Sequence, residues 1–181
     1  GNIQTTIDLE LQVHCEKLMV DKKGVILVGE PLNGGILAAV SSPDYPPGFF
    51  TGLITESDWD DISTNPDKPL INRYIQGKYI PGSIVKMITQ IALLKSQHFN
   101  KELKQYCPGF YQFGDRIFGC WYTEGHGELN VTEAMAVSCD VYFYKTVRQL
   151  NLRDLNKTFK DFGFGQKTKI DIPNETVGLV P

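Results

Sequence analysis

The sequence predicts an α+β fold in which one β-hairpin accompanies mostly helices, and three observations support this. Two apolar runs, Gly24-Val25-Ile26-Leu27-Val28-Gly29 and Ile36-Leu37-Ala38-Ala39-Val40, flank a turn rich in Pro, Asn and Gly. Beyond residue 80 the apolar residues recur at helical rather than strand spacing. No later run alternates in the manner of a strand. A lone two-stranded hairpin is rarely stable, so the chain reads as a fragment whose sheet partners lie outside it.

Taken in order, Thr5-Thr6-Ile7-Asp8 leads into a helix with Ile7, Leu11, Cys15 and Leu18 on one stripe and Asp8 as its N-cap. The hairpin follows, expected to be covered on both faces. Ser42-Pro43-Asp44-Tyr45-Pro46-Pro47-Gly48 then breaks regular structure and opens a polar connection over 50–80, with one short helix near Ser57 to Ile62. A helix runs from Ser83 to about Gln97, and an irregular loop spans Cys107 to Glu128. Asn130 caps a short helix, with Glu133 at the capping-box position. Further helices cover Val141 to Leu150 and Leu152 to Phe162, the latter stopped by Gly163. The tail Lys169-Ile170-Asp171-Ile172-Pro173 is extended, and Trp59, Trp121 and the tyrosines are assigned to loop packing.

Composition excludes several classes. The chain has 181 residues, of which 41% are hydrophobic, which is enough for a buried core. A net charge of -3, with no basic cluster among aromatics, excludes a nucleic-acid partner. No apolar run approaches the roughly 18 residues of a membrane span, and no leader segment is present. The chain is therefore expected to be an excised piece whose targeting segment is missing.

Chemistry concentrates in two short motifs. Ser83 and Lys86 stand three residues apart at the start of a helix, on one face. A serine hydroxyl becomes a useful nucleophile when a neighbouring base takes its proton, and a partly desolvated lysine is such a base. Ser138-Cys139-Asp140 sits between two helices, 52 residues after Lys86. It offers a second hydroxyl for a proton relay and a carboxylate beside it. Taken alone, the triplet reads more readily as a Ser/Asp N-cap of the helix that follows, and it is the combination with Ser83 and Lys86 that favours the chemical reading.

The blocks around these motifs resemble class B penicillin-binding proteins. Thr5-Thr6-Ile7-Asp8-Leu9-Glu10-Leu11-Gln12 is similar to the opening block of their transpeptidase domain, and Gly35 to Pro43 to the next. Leu70-Ile71-Asn72-Arg73 with Tyr79-Ile80-Pro81-Gly82-Ser83-Ile84-Val85-Lys86 resembles the active-serine block. Gly125 to Thr132, followed by Ser138-Cys139-Asp140, resembles the second motif. Phe162-Gly163-Phe164-Gly165, Ile170-Asp171-Ile172-Pro173 and Gly178-Leu179-Val180-Pro181 match the block after it. Asp140, where many relatives carry Asn, and Gly125-His126-Gly127 point to the penicillin-binding protein 2 branch that serves cell elongation.

The resemblance implies the penicillin-binding serine transpeptidase fold, a helical subdomain plus an antiparallel sheet. This chain is its N-terminal portion, with helix and hairpin over 1–49 and the helical subdomain over 50–181. It implies that Ser83 attacks a D-Ala-D-Ala stem peptide, with Lys86 as general base, Ser138 as proton relay and Asp140 as a hydrogen-bond partner. The Ser83 N–H supplies half of an oxyanion hole. Peptidoglycan stem peptides and β-lactam antibiotics are the implied ligands. A cell-wall glycosyltransferase and elongation-complex proteins are the implied partners. The implied location is the bacterial inner membrane, facing the periplasm, with the full-length protein membrane-anchored. The family's third motif, Lys-Thr-Gly, is absent, and Lys167-Thr168-Lys169 is not its equivalent. The chain alone is therefore expected to be inactive. A β-lactam sensor domain and a non-catalytic cell-wall scaffold are the alternative readings.

Cys107, Cys120, His126 and Cys139 are spaced C-x12-C-x5-H-x12-C. Three thiols and an imidazole make a closed tetrahedral zinc set, and some elongation-type relatives carry a metal-ligand set at matching positions. A Cys107–Cys120 disulfide and free thiols are the alternatives. Cys15 is expected in the core of the first helix.

Overall fold

The computed structural model describes residues 2–180. Helix α1 (Leu9–Leu18) starts where Asp8 accepts a hydrogen bond from the Leu11 N–H at 3.0 Å. Strands β1 (Gly24–Gly29) and β2 (Ile36–Ser42) pair antiparallel with a bulge at Val28/Gly29. Helix α1 packs on β2, enclosing Cys15, Met19, Ala38 and Val40. Cys15 is a core residue as the sequence predicts, but Ile7 and Leu18 are largely exposed. Burial alternates along β2, and Leu27 of β1 is also largely exposed. The hairpin is thus covered on one face rather than both. Helix α2 (Glu56–Ser63) begins with a Thr55/Asp58 capping box, and α3 (Arg73–Gln76) packs against both strands. The nearly buried Arg73 guanidinium is held by the carbonyls of Pro43, Asp67 and Ile71.

These elements, residues 1–78 with 171–176, form one compact unit, and residues 79–170 with 177–181 form a second. The second unit opens on a 3-10 turn (Gly82–Val85) that continues into α4 (Lys86–Lys95). The expected irregular loop is instead two nested antiparallel ribbons. Strand β3 (Gln105–Cys107) pairs with β6 (Gly127–Leu129), and between them β4 (Phe110–Phe113) pairs with β5 (Arg116–Gly119). Strands of three or four residues carry too few alternations to be read from periodicity.

Helix α5 (Val131–Ala136) starts at the Asn130/Glu133 capping box, followed by α6 (Asp140–Thr146), a 3-10 turn (Val147–Gln149) and α7 (Leu152–Asp161). Gly163, with φ at 83°, lies just past the end of α7. Val141, Tyr142 and Phe143 of α6 are buried with Leu93, Val131 and Ala134. Each of the three contributes about 2 kcal/mol by that burial. Ile88 and Ala92 of α4 pack on Leu155 and Phe159 of α7 in a second cluster. This packing fixes α4, α5 and α6 together, and they carry both motifs. Among the described residues no helix is long and apolar enough to cross a membrane.

Candidate active site and metal centre

Ser83 lies inside the 3-10 turn, and the Lys86 N–H donates to the Ser83 carbonyl. In a 3-10 turn residues i and i+3 eclipse, which puts the two side chains on one face more strictly than an α-helix does. Gly82 enters the turn with φ at 58°, a conformation costly to a residue with a Cβ. The Ser83 side chain is exposed, whereas Lys86 is buried. The main-chain N–H of Ser83 lies in the first turn of the segment, where amides lack intrahelical acceptors.

The Lys86 amine does not turn toward Ser83. Its three donors go to the Ser138 carbonyl at 2.7 Å, Ser138 Oγ at 3.1 Å and Asp140 Oδ1 at 2.5 Å. That saturation is the geometry of an ammonium group. The Phe143 ring, 5.8 Å from Nζ, closes one side. Both partners of the Lys86–Asp140 pair are mostly shielded from solvent, so the attraction is screened far less than at a surface.

Local backbone explains why Ser138 faces the lysine. Helix α5 ends in a Schellman motif: the Ser138 N–H donates to the Met135 carbonyl at 3.1 Å and the Cys139 N–H to the Ala134 carbonyl at 2.8 Å. Such a motif needs a left-handed residue, usually glycine, and Ser138 fills that place with φ at 51°. A non-glycine residue there costs about 1–2 kcal/mol. In return the turn carries a hydroxyl and a carbonyl to the same amine. The N-cap of α6 is Cys139, whose sulfur accepts from the Tyr142 N–H at 3.4 Å. Ser138 is therefore free of the capping role that the triplet alone suggests. Asp140, in the first turn of α6, uses its other oxygen to accept from the Trp121 N–H at 3.0 Å.

Cys107, Cys120, His126 and Cys139 converge as well, their ligand atoms all within 4.8 Å of one another. The nested ribbons bring this about. Cys107 ends β3, Cys120 follows β5, and His126 precedes β6, so three ligands share the necks of two ribbons. Those necks approach so closely that a Cβ on Gly109 would sit 2.0 Å from the Thr123 carbonyl oxygen. A Cβ on Gly125 would sit 2.4 Å from the Cys107 oxygen. Both glycines also have positive φ.

All four cysteines are free, so no disulfide joins Cys107 to Cys120. His126 Nδ1 lies 3.5 Å from Cys120 Sγ and 3.7 Å from Cys107 Sγ. In a zinc tetrahedron with arms of about 2.0–2.3 Å, ligand atoms are about 3.3–3.8 Å apart. Burial, opposed by the Tyr142 N–H but reinforced by the Cys107 and Cys120 thiols, pushes the Cys139 thiol up to about 12. At Cys120 burial works in the same direction, but main-chain N–H groups of Tyr122, Val141 and Asp140 outweigh it and hold that thiol below its ordinary value. His126 Nε2 is buried without a partner, its ring packed between Trp121 and Tyr122 at 5.3 and 5.2 Å. The donor set, its closure and its spacing fit zinc.

Each candidate catalytic and metal-ligating residue read from the sequence thus lies in the second unit. Lys86, Ser138 and Asp140 are brought into one hydrogen-bonded group, and the Cys/His set into another. Trp121, which sequence reading assigns to packing, joins the two, and its only sequence signal is that it follows Cys120.

A family model for the penicillin binding protein transpeptidase domain matches residues 24–181. The peptidoglycan D,D-transpeptidase MrdA of Acinetobacter baumannii is 36% identical over the whole of this chain, which spans 27% of that protein. A penicillin-binding protein 2 of Helicobacter pylori, solved alone and in complex with MreC, superposes with TM-scores of 0.91 and 0.90. At 38% identity in each case, the match covers 97% of this chain and 33% of the other. Penicillin-binding protein A of Mycobacterium tuberculosis, solved as a ceftriaxone acyl-enzyme, is 25% identical with a TM-score of 0.86, covering 98% of this chain and 42% of that one. The chain belongs to the penicillin-binding protein transpeptidase family. Within it, the chain is of the penicillin-binding protein 2 (MrdA) type, as its likeness to the Acinetobacter and Helicobacter proteins shows.

Proposed function

We propose that this chain carries the acylation centre of a peptidoglycan D,D-transpeptidase that cross-links stem peptides during cell-wall elongation. The observation that carries the reading is the Lys86 amine held on Ser138 and Asp140 one 3-10 turn from Ser83. Ser83 Oγ attacks the carbonyl of the penultimate D-alanine, its proton passing to a neutral Lys86. Lys86 first sheds a proton, for which Asp140 Oδ1 at 2.5 Å is the closest bonded acceptor. The oxyanion forms against the Ser83 N–H. As the tetrahedral intermediate collapses, the C–N bond breaks. The departing D-alanine nitrogen then takes a proton from Lys86 through the Ser138 hydroxyl, which already lies 3.1 Å from Nζ. An acceptor amine then attacks the ester carbonyl and releases Ser83. A β-lactam follows the first half of this path and stops as a stable acyl-enzyme, as the relative solved with ceftriaxone does.

We further propose that Cys107, Cys120, His126 and Cys139 hold zinc. The four ligands leave no position for water, so the metal's contribution is structural. Fixing Cys139 and Cys120 fixes the residues beside them, namely Ser138, Asp140 and Trp121. The whole protein is placed at the inner membrane with this part facing the periplasm. Its partners are assigned to the cell-wall elongation machinery, of which the MreC complex of the Helicobacter pylori relative is one example. Turnover of a D-Ala-D-Ala thioester by the full-length protein, with an amine acceptor present, tests the assignment. Repeated release of the thiol with formation of an amide product is expected. A single burst with no turnover would instead identify a β-lactam sensor, and no reaction a scaffold.

A further inference from the structure

Two hydrogen bonds from Trp121 end on either side of Ser138. The main-chain N–H donates to Asp140 Oδ2 at 3.0 Å, and the indole Nε1–H donates to the Val137 carbonyl at 2.9 Å. Val137 is the C-cap of α5, one of the orphan carbonyls that a helix end must satisfy from outside. Between them lies Ser138 in its left-handed conformation, presenting Oγ and its carbonyl to Lys86. A tryptophan kept only for packing is buried, but Trp121 is 63% exposed as a residue, its ring meeting just those of His126 and Tyr122 among the aromatic rings of the described residues. What the fold holds fixed in Trp121 is its pair of donors.

We propose that Trp121 is a positioning residue for acylation, clamping the Ser138 turn so that the Ser138 hydroxyl stays on the Lys86 amine. It acts through Val137 and Asp140 and touches no reacting atom. Without the indole donor the Val137 carbonyl is left to water, and the strained turn loses its outer restraint. The serine then samples backbone conformations that swing Oγ off the lysine. Cys120 fixes Trp121 from the preceding position, so the metal centre reaches the relay through this residue. The proposal rests on the reading of Ser83 as the acylated serine.

The test compares full-length wild type with Trp121→Phe and Trp121→Gln by stopped-flow acylation with a reporter penicillin. The acylation rate constant is resolved from pre-covalent binding. Phenylalanine keeps the ring and the main-chain donor but lacks the indole N–H, whereas the glutamine amide can still donate. The Phe variant is expected to acylate about tenfold more slowly, as for one lost hydrogen bond. Its pre-covalent binding, melting temperature and bound zinc are expected to stay unchanged, and the Gln variant to recover most of the rate. Three results would overturn the proposal: wild-type acylation in the Phe variant, a defect confined to pre-covalent binding, or a rate loss that tracks melting temperature or zinc. Failure of wild type itself to be acylated at Ser83 would remove the underlying reading and this inference with it.

Discussion

With all three of its donors engaged, the Lys86 amine must give up a proton before it can take the Ser83 proton that the proposed mechanism assigns to it. Residue by residue, the consequence is a division of labour that mutation can separate. Lys86→Ala leaves the nucleophile but removes its base, and penicillin acylation is expected to fall at least about 100-fold, the usual scale for general-base loss. Asp140→Ala strands a buried ammonium and leaves the Trp121 N–H without its acceptor. It should lower unfolding free energy by about 2–3 kcal/mol in urea, in addition to slowing acylation. Unchanged stability in that variant would mean that the ion pair is not formed in solution. At this scale the sequence was legible where chemistry and spacing coincide, at Ser83 with Lys86 and at Ser138 with Asp140. It was silent on Trp121, because a main-chain donor and a single indole N–H leave no pattern in a row of letters.

At the scale of elements, the ribbons between Cys107 and Leu129 matter most, because their necks set the spacing of the Cys/His ligands. Gly109→Ala would force a Cβ into the Thr123 carbonyl at a positive φ. We expect a loss of about 2 kcal/mol or more, together with loss of metal. Zinc content by plasma mass spectrometry should be one per chain in wild type and near zero in Cys139→Ala, and a strong chelator should lower the melting temperature of wild type alone. A metal-free wild type with two thiols missing from the denatured count would establish a disulfide instead. The helices were readable from capping residues: Asp8, Asn130 and Glu133 act as the sequence predicts. The ribbons were not readable, since their order is set by close approach of backbones at Gly109 and Gly125 rather than by side-chain periodicity.

For the whole molecule, family and fold followed from blocks in the right order, which is information spread over the chain rather than held at one site. The hairpin β1–β2 is paired with no other strand among the described residues, and the sequence holds no Lys-Thr-Gly. By itself the 181-residue chain is therefore expected to take up no penicillin, even in large excess over many hours. Stoichiometric labelling of that chain would show that the serine and lysine need no further strand. All of the acylation outcomes require that Ser83 be the acylated residue. Intact and peptide mass spectrometry of the full-length protein after brief exposure to benzylpenicillin tests it most directly. One adduct per chain is expected, with the mass of the intact antibiotic, located on the peptide containing Ser83 and absent from Ser83→Ala. An unmodified protein, or an adduct on any other residue, would contradict it.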